Sequence, residues 1–143
     1  MKPSPVPAVK PRLTKTAPSP EEIVQLIQTY GPGYQTAYRS MVGGLLWIAI
    51  STRPDISFAT VQVASMVSNP TTAACDAVTI IFRYLLGTRT YGLFYSREFD
   101  GKVVAFSDAD WSGDLSTAKS TSGAVSCTAV RSAGALIFRS WLR

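Results

Sequence analysis

The stretch YQTAYRSMVGGLLWIAISTRPD (residues 34–55) decides the fold of this chain. Tyr38, Met41, Val42, Leu45, Leu46 and Ala49 recur at helical spacing, so one face of a helix is apolar. The apolar run Met41–Ile50 is ten residues long. A membrane span needs about 20, so a buried helix is expected instead. Gly43-Gly44 weakens the helix but permits close approach of a neighbour. Thr52-Arg53-Pro54-Asp55 then ends it and starts another, with proline in the first turn and an acid near the positive end of the helix dipole.

Working outward, the same grammar repeats on both sides. Ser19-Pro20-Glu21-Glu22 is a helix start with a capping hydroxyl, and Gly31-Pro32-Gly33 is its stop. The third helix, which starts at Thr52-Arg53-Pro54-Asp55, is expected to run to about Val67, and Asn69-Pro70-Thr71 breaks it. A fourth is expected over Thr71–Leu86, with Val78, Ile81, Phe82 and Leu85 as its apolar stripe and Gly87 as a left-handed C-cap. After Gly87 the period changes. Tyr91–Tyr95, Val103–Phe106, Gly123–Val130 and Ala135–Trp141 read as strands, with Phe99-Asp100-Gly101 as a hairpin turn between the first two. The expected class is therefore α+β: an N-terminal helical region followed by an antiparallel β-meander. The expected divisions are a disordered, Pro-rich basic tail (1–20), a helical region (21–88) and the meander (89–143).

The tail holds six prolines, which remove donors and restrict their neighbours, so a linker is expected there. Charge is distributed unevenly. Residues 1–20 carry four basic residues and no acid; residues 21–114 carry six basic and all nine acidic residues; residues 115–143 carry four basic and none acidic. Basic ends suit a phosphate-bearing partner. The absence of histidine excludes His-based triads and His-containing zinc sites. Cys75 and Cys127 lack CxxC spacing and read as buried free thiols of a reducing compartment. Met1–Pro20 has no apolar stretch of the secretory kind. An intracellular chain, cytoplasmic or nuclear, is expected, with no membrane partner and no small-molecule substrate.

The chemistry is concentrated in SDADWSGD (Ser107–Asp114). Asp108 and Asp110 follow the apolar strand directly and are two residues apart, a spacing that shares one face if the strand continues. Carboxylates at a strand end are hard oxygen donors suited to Mg²⁺, and pairs of such ions cleave phosphodiesters by in-line attack. The alternative reading is a polar loop, since Asp is common in turns.

Five strings carry a family resemblance: YRSMVGGLLWIAISTRPDISFA (38–59), SNPT (68–71), FRYLLGTRTYGLFY (82–95), FSDADWSGD (106–114) and KSTSGAV (119–125). In order and spacing they resemble the Pol polyprotein of copia-type LTR retrotransposons, over about residues 34–125. The resemblance implies the C-terminal end of a reverse transcriptase region followed by the start of an RNase H domain, so the expected meander is of RNase H-like type. It implies that Asp108 corresponds to the first RNase H acid, that Asp108 binds Mg²⁺ with Asp110 as a further candidate ligand, and that an RNA–DNA hybrid or other nucleic acid is the partner.

The departures are specific. The chain has no YVDD-type polymerase motif and no TEAEY-like string, and no Asp or Glu follows Asp114. SAGALIFRSWLR (132–143) stands where the family has a GGAISWKSKKQ-like string. A truncated family member without autonomous catalysis is expected. The alternatives are a non-catalytic nucleic-acid-binding or assembly module, in which Trp47, Trp111, Trp141 and the run Phe138–Arg143 provide stacking and charge, or a translated relic without function.

Overall fold

The computed structural model describes Ser4, Leu13 and residues 16–93, together with the backbone of residues 103–114, 119–128 and 135–138. Four helices form where the sequence places its start and stop signals. Helix α1 is Pro20–Tyr30, α2 is Tyr34–Ser51, α3 is Ser57–Ala64 and α4 is Thr72–Gly87, and a 3₁₀ turn at Pro54–Ile56 leads into α3.

The termini show why. Ser19 is extended, and its hydroxyl accepts from the Glu22 N–H at 3.2 Å, which satisfies one of the orphan donors of α1. Gly31 closes α1 with φ of 87°, a backbone conformation that side chains beyond Cα disfavour. Thr71 caps α4 in the same way as Ser19 caps α1, accepting from Ala74 N–H at 3.2 Å. The Glu22 carboxylate also accepts from Thr72 N–H at 2.7 Å. An acid from α1 thus sits at the positive end of α4, where a negative charge is favoured.

The core is built from one face of each long helix. α2 buries Tyr34, Tyr38, Val42, Leu45 and Ala49, the stripe its sequence announces. α4 buries Ala74, Cys75, Ala77, Val78, Ile81 and Tyr84. Leu26, Ile56, Ala59, Val63 and Met66 complete the cluster, with Leu13 packed against its edge. The Tyr38 hydroxyl reaches the Val63 carbonyl at 2.7 Å, so this buried ring satisfies its one polar atom.

Three local expectations are corrected. The third helix stops at Ala64, three residues short of Val67, and Ser65 caps it. On α4 the buried face carries Tyr84, while Phe82 is exposed and Leu85 is half-buried. Gly87 belongs to α4 itself; Thr88 is the cap, with φ of −124°, and its hydroxyl donates to the Tyr84 carbonyl at 2.8 Å. A threonine side chain does there what a left-handed glycine was expected to do.

The fold class is also corrected. An α+β chain ending in an RNase H-like antiparallel meander is the expectation. The folded body described with its side chains is 69% helix, in four α-helices, and contains no strand. The physical reason lies in the apolar stripes. Helices α1 to α4 close their core on one another, and a helix-on-helix arrangement needs no sheet layer to bury them. Of the first expected strand, Tyr91–Leu93 is not in a strand. Phe94, Tyr95 and the expected turn at Phe99–Gly101 lie outside the described residues. Among the described residues, extended, antiparallel backbone occurs at Val103–Asp114 (β1), Lys119–Thr128 (β2) and Ala135–Phe138 (β3). Backbone pairing of this kind is shared by many folds and does not establish an RNase H-like one.

The chain divides into two compact units. One comprises Met1–Ala49 and Asp55–Thr90 and holds the helical core. The other comprises Ile50–Pro54 and Tyr91–Arg143.

Candidate functional site

Asp108 and Asp110 both lie in β1, where their backbone positions pair with Gly123 and Thr121 of β2. The register shifts between Asp110 and Asp114, and Asp114 pairs with Lys119. Their side chains lie outside the described residues. Among the described residues, no group of three or more His, Cys, Asp or Glu is placed to hold a metal ion. The donor set suits Mg²⁺ in kind, because carboxylate oxygens are the ligands that ion takes.

Two side-chain contacts, one within each unit, involve residues that sequence reading assigns only to helix starting. Asp55 accepts from the Tyr84 hydroxyl at 2.8 Å. Two residues earlier, the Arg53 guanidinium lies 5.8 Å from the centre of the Tyr91 ring. Arg53 is 6% exposed, a rare state for a cation, and it is the burial that makes this ring contact count. Pro54, between the two charged residues, fixes its own φ and presents no N–H. Thr52–Asp55 and the stretch 82–95 are each recognisable as strings, but nothing in either string names the pairings.

The thiol of Cys75 is free and buried. Burial first, and then the negative charges of Asp76 and Glu22, push it up to about 11. It therefore stays protonated near neutral pH, which is the state of a structural thiol and not of a nucleophile. The Tyr38 hydroxyl is pushed well above the ordinary tyrosine range, mainly by burial. Of the three tryptophans, Trp47 is 70% exposed, while Trp111 and Trp141 lie outside the described residues. No described helix is long and apolar enough to cross a membrane.

No protein-family model matches the chain, and no solved structure matches it. Curated relatives do. A retrovirus-related Pol polyprotein from transposon RE1 of Arabidopsis thaliana is 39% identical over 114 residues, covering 80% of this chain and 8% of that protein. A Pol polyprotein from transposon TNT 1-94 of Nicotiana tabacum is 34% identical over 97 residues, 68% of this chain and 7% of that protein. A secreted RxLR effector protein 161 of Plasmopara viticola is 40% identical over 86 residues, 60% of this chain and 61% of the effector. The chain belongs to the family of Pol polyproteins from copia-type retrotransposons. It spans about three fifths of the effector and less than a tenth of the transposon polyproteins.

Proposed function

We propose that the chain corresponds to the end of a reverse transcriptase region and the beginning of an RNase H region, and that it catalyses neither reaction by itself. The observation that carries this reading is the alignment to the RE1 polyprotein, 114 residues that amount to 8% of that relative. The five motif strings supply its finer placement, because their order runs from the TRPD-type helices to the SDADW segment. In this reading Asp108 descends from a catalytic acid by lineage, with Mg²⁺ as its ion and an RNA–DNA hybrid as its ligand. Two-metal cleavage needs several carboxylates around both ions. All nine acids of this chain fall within residues 21–114, and none follows Asp114. The test is Mg²⁺-dependent cleavage of a labelled RNA–DNA hybrid by the full chain. No cleavage above background is expected. Robust cleavage abolished by Asp108→Asn overturns the reading.

A second reading, a non-catalytic module that binds single-stranded nucleic acid, is favoured by one observation. Trp47 and Phe58 are 70% and 67% exposed, and exposed aromatic faces are what bases stack on. Titration of a fluorescent oligonucleotide at low salt checks it. Binding that weakens in Trp47→Ala supports the module, and no binding at low salt removes it.

A further inference from the structure

The proline-rich tail is left without a role by the proposed chemistry. Two of its residues, Ser4 and Leu13, are described, and both are engaged with the helical unit to which the tail belongs. Leu13 is half-buried and packs against the core cluster. The Ser4 N–H donates to the Arg83 carbonyl, towards the end of α4, at 3.3 Å. A carbonyl has two lone pairs, so it can accept this bond beside a helical one. The sequence around both contacts is specific. Pro3-Ser4-Pro5-Val6-Pro7 leaves only two N–H groups in five residues, and one of them is the donor that α4 receives. Leu13 is the only leucine of residues 1–20. A proline-rich segment is already extended, so it loses little freedom when it is fixed on a surface. Charge favours the docking as well. The tail carries Lys2, Lys10, Arg12 and Lys15 with no acid, whereas residues 21–49 and 55–90 carry four acids against three basic residues.

We propose that the helical unit carries a seat for an extended, proline-rich segment, and that this chain's own tail occupies it, with Leu13 as the apolar anchor and the Ser4 N–H as the backbone anchor. The seat recognises one apolar side chain and one backbone donor nine positions before it. The two anchors differ in strength. Burying a leucine side chain removes apolar surface from water, while a single hydrogen bond to a helix carbonyl adds little net stability. Leu13 therefore holds the tail in place, and the Ser4 bond forms only while Leu13 is seated. An acid at position 13 empties the seat, and the same segment supplied as a separate peptide then fills it.

The test uses the full chain and amide hydrogen exchange at Ser4, with a synthetic peptide of residues 1–19 as the free reference. In the parent chain Ser4 should exchange about tenfold more slowly than in the peptide. Leu13→Asp should bring it to the peptide's rate, and Leu13→Met should keep the protection. The amides of Val42 and Ile81 should stay slow in Leu13→Asp, which separates loss of docking from loss of the fold. The emptied seat gives a second readout. Fluorescently labelled 1–19 peptide should bind the Leu13→Asp chain at least about tenfold more tightly than the parent chain, whose own tail competes for the seat. Exchange of Ser4 in the parent chain at the peptide's rate overturns the proposal, and so does equal binding of the peptide by the two chains. Ser4 protection that grows with protein concentration, as the chain doubles its mass, gives the seat to the tail of a second copy and overturns the occupant proposed.

Discussion

In the helical unit the distinctive residues are apolar and three or four positions apart; in Ser107–Asp114 they are carboxylates packed into one short run of chain. The first pattern is accounted for by contacts inside the molecule. Tyr38, Val42, Leu45 and Ile81 are each nearly or fully buried, and all four belong to the core. The second pattern has no such account among the described residues, and its meaning comes from the family. Recognisable sequence therefore has two sources in this chain. One is the physical need to bury a helix face, and the other is likeness to the retrotransposon Pol polyproteins.

Substitutions separate the two sources. The largest effect is expected from Ile81→Ala, which removes a fully buried side chain from the centre of α4. A loss of about 2–5 kcal/mol of unfolding free energy follows from lost burial and the cavity left behind, read by urea unfolding. Tyr38→Phe keeps the ring but leaves the Val63 carbonyl without its donor, and should cost about 1–3 kcal/mol in the same assay. Thr60→Val should change stability in the opposite direction. Thr60 is fully buried and its hydroxyl has no partner, so an apolar side chain of the same shape should stabilise the unit by about 1 kcal/mol.

The ionisation of Cys75 gives a further contrast. Its folded value is raised from 9.0 to about 11, so the folded state holds its proton more tightly than the unfolded state. The stability tied to that proton is complete below pH 9 and is lost as pH rises from 9 toward 11. Cys75→Ala should flatten the fall in the urea midpoint over that window. The smallest effect is expected from Asp108→Asn, whose unfolding free energy should lie within about 0.5 kcal/mol of the parent chain. A large loss there would mean that the acidic segment stabilises the fold, and the comparison would fail.

How much of this was legible in the sequence depends on distance along the chain. The Ser19 cap, the Gly31 stop and the Tyr38–Val42–Leu45–Ala49 face are local signals, and each is found in the structure. The face of α4 is less local. Phe82 and Tyr84 are both large and aromatic, and only packing against the other helices decides that Tyr84 goes inside. The pairs Asp55–Tyr84 and Glu22–Thr72 join residues 29 and 50 positions apart, and nothing in either segment specifies its partner. The α+β expectation failed for a related reason. Alternation in short apolar runs marks extended chain, but it does not say whether that chain becomes a layer of the packed fold. Of the candidate metal site, the sequence makes Asp108 and Asp110 visible as a motif, and motif spacing does not reveal what converges on it in space.

Tyr38, Val42, Leu45, Val63, Val78 and Ile81 belong to one core of the helical unit, and that core should keep its stability without the Asp108 carboxylate. Amide hydrogen exchange on the full chain, with and without Asp108→Asn, tests it most directly. The account predicts that the amides of Val42, Leu45, Val63, Val78 and Ile81 are the slowest, share one opening free energy and keep it in the variant. Exchange of these amides at unrelated rates, or their joint acceleration by Asp108→Asn, would contradict it.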